Sequence, residues 1–128
     1  MTTTGTDAEP GTGPGPGPDR DPGHLAEASD ATFAAEVLGA GVPVLVEFGA
    51  DWCPPCRQIE PVLRELAREE EGRLKVVQLD VDHNPWAQSA YGVLSVPTLM
   101  VFRDGEPVWS AVGARTKRRL LQELADVL

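Results

Sequence analysis

The stretch that decides the fold is VPVLVEFGADWCPPC, residues 42–56. Its first part, residues 42–48, is apolar on both faces apart from Glu47, which is typical of a strand in the middle of a sheet covered on both sides. Its last part holds the only two cysteines of the chain, Cys53 and Cys56. Because a helical pattern follows, the sequence predicts a strand that leads into a helix with Cys53 at the helix N-terminus.

The spacing of the cysteines is typical of redox chemistry, but it also occurs in half of a zinc site or in an inert disulfide. The two histidines, His24 and His83, could in principle complete four zinc ligands with Cys53 and Cys56. His24 adjoins a Gly/Pro-rich segment and His83 lies at an Asp-rich strand end, so both are more typical of solvated surface histidines. We therefore expect no metal site. A zinc-binding or non-catalytic binding module remains the alternative of another class.

Composition and charge exclude several classes of partner. The 128 residues carry a net charge of −9, whereas phosphate binding needs clustered Lys and Arg, so we exclude nucleic acid. No apolar run is long enough to cross a bilayer and the first residues lack a secretory signal, so we expect no membrane contact and a cytoplasmic location. In a reducing cytoplasm a C-x-x-C pair is more often catalytic or metal-binding than structural.

The N-terminal segment differs from the rest of the chain. Residues 1–23 contain six glycines and five prolines and almost no residue that could join a core. We expect this segment to be a disordered Gly/Pro-rich tail, with one domain over residues 24–128. A docking or tethering arm is the alternative reading of the tail.

Within the domain, strand and helix patterns alternate and the chain ends in a hairpin and a helix. The expected strands are an edge strand at 24–28 and strands at 42–48, 74–81, 96–102 and 107–112. The first expected helix is capped by Ser29 or Asp30 and carries Phe33, Val37 and Leu38, and a long helix follows Cys53. A third helix runs through Tyr91, with Asn84 as its cap and Pro85 as its first residue, and a last helix is capped by Thr116 and directs Leu120, Leu121, Leu124 and Leu128 inward. Asp104-Gly105 predicts the hairpin turn, and Pro61 predicts a kink in the long helix. Crossover helices require parallel neighbours, whereas the hairpin adds antiparallel strands. The fold class is therefore α/β with a mixed sheet.

Several separated motifs together resemble the thioredoxin family over about residues 30–128. They are, in order, Val46-Glu47-Phe48, Trp52-Cys53-Pro54-Pro55-Cys56, Pro61, Tyr91-Gly92-Val93, Val96-Pro97-Thr98, Asp104-Gly105 and Val112-Gly113-Ala114. The resemblance implies a thioredoxin-like three-layer sandwich, with a central mixed sheet of four to five strands flanked by four helices. It also implies structural roles for Pro55 and Pro61 and a cis peptide bond between Val96 and Pro97.

The activity that the resemblance implies is reduction of protein disulfides through a mixed disulfide. Thiolates are the nucleophiles of thiol–disulfide exchange, and both a helix N-terminus and a nearby second thiol favour the anion on Cys53. Cys53 should therefore be the exposed, attacking sulfur, and Cys56 the resolving one. The resemblance implies no bound cofactor, reducing equivalents from NADPH through a flavin-dependent thioredoxin reductase, disulfide-containing client proteins and a monomer.

Glu47 is the candidate proton acceptor for Cys56. A carboxylate in an apolar central strand is costly unless it is paired or its pKa rises toward neutrality, and such a carboxylate suits proton transfer near pH 7. The alternative is that Glu47 lies at a strand end and reaches water. The family commonly has Asp in place of Glu47 and Lys in place of Gln78, so this carboxylate is longer and lacks a cationic neighbour.

The expected docking surface is a small apolar patch around Cys53. Its members are Trp52, Pro54, Val96, Pro97, Gly113 and Ala114. Pro54 stands where the family usually has Gly, and it removes one N–H from the group that points at Cys53. Gly49 stands where the family commonly has an aromatic residue. The alternative within redox chemistry is therefore a specialised or more oxidising protein with a restricted client set.

Overall fold

The computed structural model describes residues 25–128, so the predicted tail and His24 lie outside the described residues. Five strands form one mixed sheet in the order β1-β3-β2-β4-β5. Their bounds are β1 Ala26–Glu27, β2 Val44–Gly49, β3 Lys75–Asp80, β4 Thr98–Arg103 and β5 Glu106–Val112. Strand β3 is parallel to β1 and β2, whereas β4 is antiparallel to β2 and β5. The predicted α/β class and mixed sheet are confirmed.

Helices cover both faces of the sheet. They are a short π-helix, Ala34–Leu38, and three α-helices: α1 Pro54–Glu69, α2 Pro85–Ala90 and α3 Lys117–Leu124. The π-helix and α2 pack on one face with Phe33, Val46 and Phe48. Helices α1 and α3 pack on the other face with Leu45 and Leu99. The three-layer sandwich with four helices is therefore confirmed. None of the helices within residues 25–128 has the length and apolar character needed to cross a membrane.

Strand β2 is the central strand and is buried along its whole length. Successive side chains of a strand point to opposite faces, so Val46 and Phe48 face the π-helix while Leu45 and Glu47 face α1. By the same alternation, Gly49 lies on the α1 face, next to Glu47. The apolar run read from the sequence thus places one carboxylate inside the layer that also holds the long helix.

The first helix differs from its prediction. Residues 30–32 form a turn, and the helical segment is the π-helix that begins at Ala34. Ser29 and Thr32 stabilise the turn, since each backbone N–H donates to the other's hydroxyl at 2.9 and 3.2 Å. Such local side-chain bonds compete with helix formation, so the predicted helix starts later than its apparent caps.

The predicted cap of α2 is wrong, although Pro85 is its first residue as expected. The Asn84 side chain instead donates to the carbonyl of Asp80 and accepts from the N–H of Asp30, both at 2.8 Å. The carboxylate of Asp30 caps α2 by accepting from the N–H groups of Trp86 and Ala87, at 3.0 and 2.9 Å. The two partners are more than fifty residues apart, so no local pattern could predict this cap.

The hairpin and the cap of α3 are confirmed. Asp104 and Gly105 both have left-handed φ angles, 53° and 82°, which is the conformation that a two-residue hairpin turn requires. The Thr116 hydroxyl accepts from the N–H of Arg119 at 3.2 Å, as a cap should. Helix α1 continues past Pro61 to Glu69, and the kink expected there stays a prediction.

The inward face of α3 is narrower than predicted. Leu120 and Leu124 are buried, but Leu121 and Leu128 are exposed, so their placement in the core is wrong. Leu121 follows Leu120 directly and therefore points about 100° away around the helix. Leu128 lies beyond the end of α3 at Leu124, where the helical period no longer applies.

Candidate active site

Cys53 and Cys56 form a disulfide at the N-terminus of α1, with their Cα atoms 5.3 Å apart. Cys53 is the N-cap residue, and Pro54 and Pro55 occupy the first two helical positions. Because proline has no N–H, Cys56 is the first residue of α1 that can donate a backbone hydrogen bond. Its N–H points at Cys53 Sγ, with a distance of 3.2 Å between N and Sγ. The helix N-terminus is therefore directed at Cys53, as predicted.

Neither sulfur is exposed in this oxidised state. Only 2% of Cys53 and 6% of Cys56 are accessible to solvent, so the expectation that Cys53 is the exposed sulfur is wrong here. Both cysteines pack in the same apolar cluster as Ala50 and Val93. In this state the Cys53 sulfur is bonded to Cys56, and both cysteines are shielded from solvent by the cluster. Any molecule that reacts with Cys53 in this state must approach it past the residues that surround it.

The Val96–Pro97 peptide bond is cis, as the resemblance implied. It directly precedes β4, and the Pro97 carbonyl accepts from the N–H of Gly113 at 2.8 Å. Two of the predicted docking segments are thereby joined. Pro97 itself is buried, so its side chain lies beneath the predicted surface rather than on it, whereas Val96 is half-buried.

Trp52 is the main exposed aromatic residue beside the cysteines. It is 63% exposed, and its indole N–H donates to Asp82 Oδ2 at 2.7 Å, which holds the ring in place. Pro54 and Ala114 are also exposed, as predicted. Leu94, in the loop before Val96, was not singled out from the sequence, yet it is 95% exposed. Its signal in the sequence was a large apolar side chain between a helix and a strand.

Arg115 tethers the loop that carries Gly113 and Ala114. Its side chain is mostly buried, and its Nη1 donates to the carbonyls of Val112 at 3.0 Å and Gly113 at 2.7 Å. Its Nε donates to Glu123 Oε1 at 2.9 Å, which fastens the loop to α3. This role was not predicted, because an arginine in a basic run is usually part of a solvated helix face.

Glu47 lies on β2 near Cys56 and is only 2% exposed. Gln78 lies beside it on β3 and donates from Nε2 to Glu47 Oε1 and to Glu60 Oε2, both at 3.1 Å. Burial raises the pKa of Glu47 to about 7; the Gln78 hydrogen bond lowers it, and the negative charge of Glu60 raises it further. The alternative in which Glu47 reaches water at a strand end is wrong.

The second carboxyl oxygen of Glu47 is buried beside a half-open pocket near the disulfide. Glu47 Oε2 is buried and, within residues 25–128, has no hydrogen-bond partner. A cavity of about 310 Å³ lies there, and Glu47, Gly49, Cys56 and Glu60 contribute to its walls. Carboxyl and thiol groups are thus brought to one cavity, which suits transfer of a proton between them.

The structure offers no support for a zinc site in the part of the chain that it describes. Across residues 25–128, no group of three or more His, Cys, Asp or Glu side chains is placed to hold a metal ion. Both cysteines are used in the disulfide. His83 is a surface residue whose Nδ1 lies 3.2 Å from Asp80 Oδ2.

Comparison with known proteins agrees with this site. A family model described as Thioredoxin matches residues 24–126. Thioredoxin of Mycobacterium tuberculosis (strain ATCC 25618 / H37Rv) is 49% identical over 102 residues, which cover 80% of this chain and 88% of that protein. Thioredoxin 1 of Nostoc sp. is 50% identical over 99 residues, covering 77% of this chain and 92% of that protein.

A third relative has a name that combines two activities. The bifunctional thioredoxin reductase/thioredoxin of Mycobacterium leprae is 45% identical over 109 residues, which cover 85% of this chain and 24% of that protein. These matches favour none of the alternatives to protein-disulfide chemistry. The family match, the identities and the disulfide at the start of α1 lead to one conclusion: the chain belongs to the thioredoxin family of thiol–disulfide oxidoreductases.

Proposed function

We propose that Cys53 is the nucleophile and Cys56 the resolving thiol in the reduction of client disulfides. The observation that carries this assignment is the N–H of Cys56 directed at Cys53 Sγ from the N-terminus of α1, since a positive helix end stabilises a thiolate at that sulfur. The Cys53 thiolate attacks one sulfur of the client disulfide and releases the other as a thiolate. Cys53 and the client are then joined by a mixed disulfide.

Resolution of the mixed disulfide needs a proton acceptor, and we propose Glu47 for this role. Its carboxyl group is buried beside Cys56, and its pKa of about 7 allows it to take up a proton near neutral pH. Cys56 gives its proton to Glu47 and attacks Cys53 Sγ. The client leaves as a dithiol that has gained two electrons, and the Cys53–Cys56 disulfide is restored.

The proposed client-docking surface consists of Trp52, Pro54, Leu94, Val96, Gly113 and Ala114. Exposure of Trp52 and Leu94 supports it, since large apolar side chains on a surface often anchor partners. The Arg115 side chain supports it too, because its Nη1 donates to the Gly113 carbonyl at 2.7 Å and so holds that loop in place. We place the surface around the segment that leads to Cys53, where a client sulfur must enter.

The electrons would come from NADPH through a flavin-dependent thioredoxin reductase acting in trans. Support comes from the Mycobacterium leprae relative, whose name joins a thioredoxin reductase to a thioredoxin. We further propose a monomer in the cytoplasm, in which residues 24–128 form the catalytic domain and residues 1–23 a tail. Exchange of thiols and disulfides needs no resident cofactor, because the dithiol itself carries both electrons.

The test is reduction of insulin by the purified protein with NADPH and a thioredoxin reductase. We expect turnover by the native protein, none by Cys53→Ser, and a trapped mixed disulfide with Cys56→Ser. Mass spectrometry after proteolysis would locate the trapped client at Cys53. Turnover by Cys53→Ser, or a client trapped by Cys53→Ser instead, would contradict the assignment of the two sulfurs.

A further inference from the structure

Gly49 lies where a side chain would interfere with the proton acceptor. A Cβ atom added to Gly49 would overlap Glu47 Oε2, would lie 3.1 Å from Glu47 Cδ and would lie 3.2 Å from Cys56 Sγ. Glu47 and Gly49 are two residues apart on β2 and so face α1 together. The Glu47 carboxyl group therefore occupies the space that any other residue at position 49 would fill.

The backbone gives no separate reason for a glycine at position 49. The glycines with left-handed φ angles among the described residues are Gly72, Gly92, Gly105 and Gly113. Gly49 instead is the last residue of the regular strand β2 and pairs with Asp80 of β3, where a residue with a side chain is normally more stable. The missing Cβ is thus explained by the crowded space and not by the chain conformation.

The other end of the carboxyl group is fixed. Gln78 donates to Glu47 Oε1 at 3.1 Å and is itself held by a second bond to Glu60 Oε2. With Oε1 bound to Gln78, the carboxyl group presents Oε2 toward Gly49, and Cys56 Sγ borders the same point. Two features therefore set the position of Oε2: a hydrogen bond on one side and an absent side chain on the other.

We propose that Gly49 is a positioning residue for resolution, because its absent side chain leaves the space in which the Glu47 carboxyl group reaches Cys56. The inference rests on the proposed role of Glu47 as proton acceptor. The Cys56 thiol passes its proton to Glu47 Oε2, and the Cys56 sulfur forms the bond to Cys53 as the bond from Cys53 to the client breaks. The client sulfur leaves with the electron pair of that bond.

The first variant to measure is Gly49→Ala. The atom that an added methyl group overlaps is the end of a flexible side chain, so the variant should fold, with the Glu47 carboxyl group turned away from Cys56. The reduced protein is mixed with one equivalent of an aromatic disulfide whose thiol product absorbs light. The first thiol released reports attack by Cys53, and the second reports resolution by Cys56.

We expect Gly49→Ala to leave the first phase unchanged and to slow the second by about tenfold or more at pH 7, because a displaced proton acceptor loses most of its effect. The dependence of the second phase on the ionisation of Glu47, whose pKa is about 7, should disappear as well. Gly41→Ala is the matched control, since a Cβ there meets no atom within 4 Å.

A double variant separates positioning from simple disruption. Glu47→Asp removes one methylene and withdraws the carboxyl group from the place that the new methyl group takes. In the Gly49→Ala background this change should raise the second-phase rate, whereas in the native background it should lower it. Independent effects of the two substitutions would instead lower the rate in both backgrounds, which would contradict the inference.

The remaining outcomes distinguish the two proposals. If Glu47→Gln slows the second phase and Gly49→Ala does not, the role of Gly49 is wrong while that of Glu47 stands. If Glu47→Gln leaves the second phase and its pH profile unchanged, the role of Glu47 is wrong and that of Gly49 falls with it. The assignment of Cys53 and Cys56 is tested separately, by the trapped mixed disulfide.

Discussion

Two regions beside the disulfide differ in polarity and in exposure to solvent. The proposed docking side consists of Trp52, Pro54, Leu94, Val96, Gly113 and Ala114, of which Trp52, Pro54, Leu94 and Ala114 expose apolar side chains to solvent. The proton side, which consists of Glu47, Gly49, Gln78 and Glu60, places a carboxyl group inside the protein. Binding a client requires exposed apolar area, whereas a carboxyl group with a pKa near 7 requires removal from water. The start of α1 belongs to both regions, because Trp52 and Pro54 flank Cys53 in the chain and Cys56 Sγ borders the space beside Gly49.

The largest predicted effect lies on the proton side. The folded protein keeps the Glu47 proton up to about pH 7, whereas the unfolded chain releases it near the ordinary pKa of 4.5. The unfolded state then binds fewer protons, so the stability of the native protein falls as pH rises between these values. For the oxidised protein we expect a loss of about 3 kcal/mol in unfolding free energy across this window, absent in Glu47→Gln.

Urea unfolding at pH 5 and pH 8 measures this difference. The control is Glu71→Gln, which changes an exposed carboxylate and should follow the native protein at both pH values. Equal pH dependence in the native protein and Glu47→Gln would show that burial does not shift this carboxyl group. The two sides of the disulfide would then not differ in their access to water.

The next effect lies on the docking side. Trp52→Ala removes an exposed indole, and we expect the KM for a protein client such as insulin to rise roughly tenfold, as loss of an interface anchor does. The kcat with a small aromatic disulfide should stay within about twofold, because such a substrate buries little area. Trp86→Ala is the control, since that indole is also about half exposed but lies on α2. An equal rise in KM for both variants would contradict the proposed role of Trp52 in docking.

The smallest effect concerns Pro54, which belongs to the docking side but also affects Cys53 chemically. Pro54→Ala restores an N–H at the first position of α1. One added donor at a helix N-terminus is worth roughly 0.3–1 kcal/mol, so Cys53 should attack an aromatic disulfide about threefold faster at pH 6. Stopped-flow measurement of the first phase would check this. A slower first phase would show that proline's rigidity matters more than its missing donor.

The elements could be predicted from sequence because their signals are local. The apolar run of β2, the Asp104-Gly105 turn and the Thr116 cap each involve neighbours in the chain, and all three were confirmed. The Asp30 cap of α2 and the Arg115 tether could not be predicted, since they depend on contacts that only the folded chain makes. Local patterns do not encode such contacts.

The candidate site shows the same division. Two cysteines in one motif and a lone carboxylate in an apolar strand pointed to Cys53, Cys56 and Glu47. The part played by Gly49 depends on which atoms approach its Cα in three dimensions, and a substitution of an aromatic residue by glycine does not show this by itself. The burial of Cys53 likewise depends on the packing of the oxidised state.

Burial of both sulfurs also has a kinetic consequence. Thiol–disulfide exchange requires the incoming thiolate to approach along the sulfur–sulfur axis, and only 2% of Cys53 is accessible in the oxidised protein. A small thiol gains little binding energy with which to displace the side chains that shield Cys53. A partner that binds the surface around Cys53 can use its binding energy to displace them. We therefore expect small thiols to reduce the oxidised protein more slowly than partners that bind around Cys53.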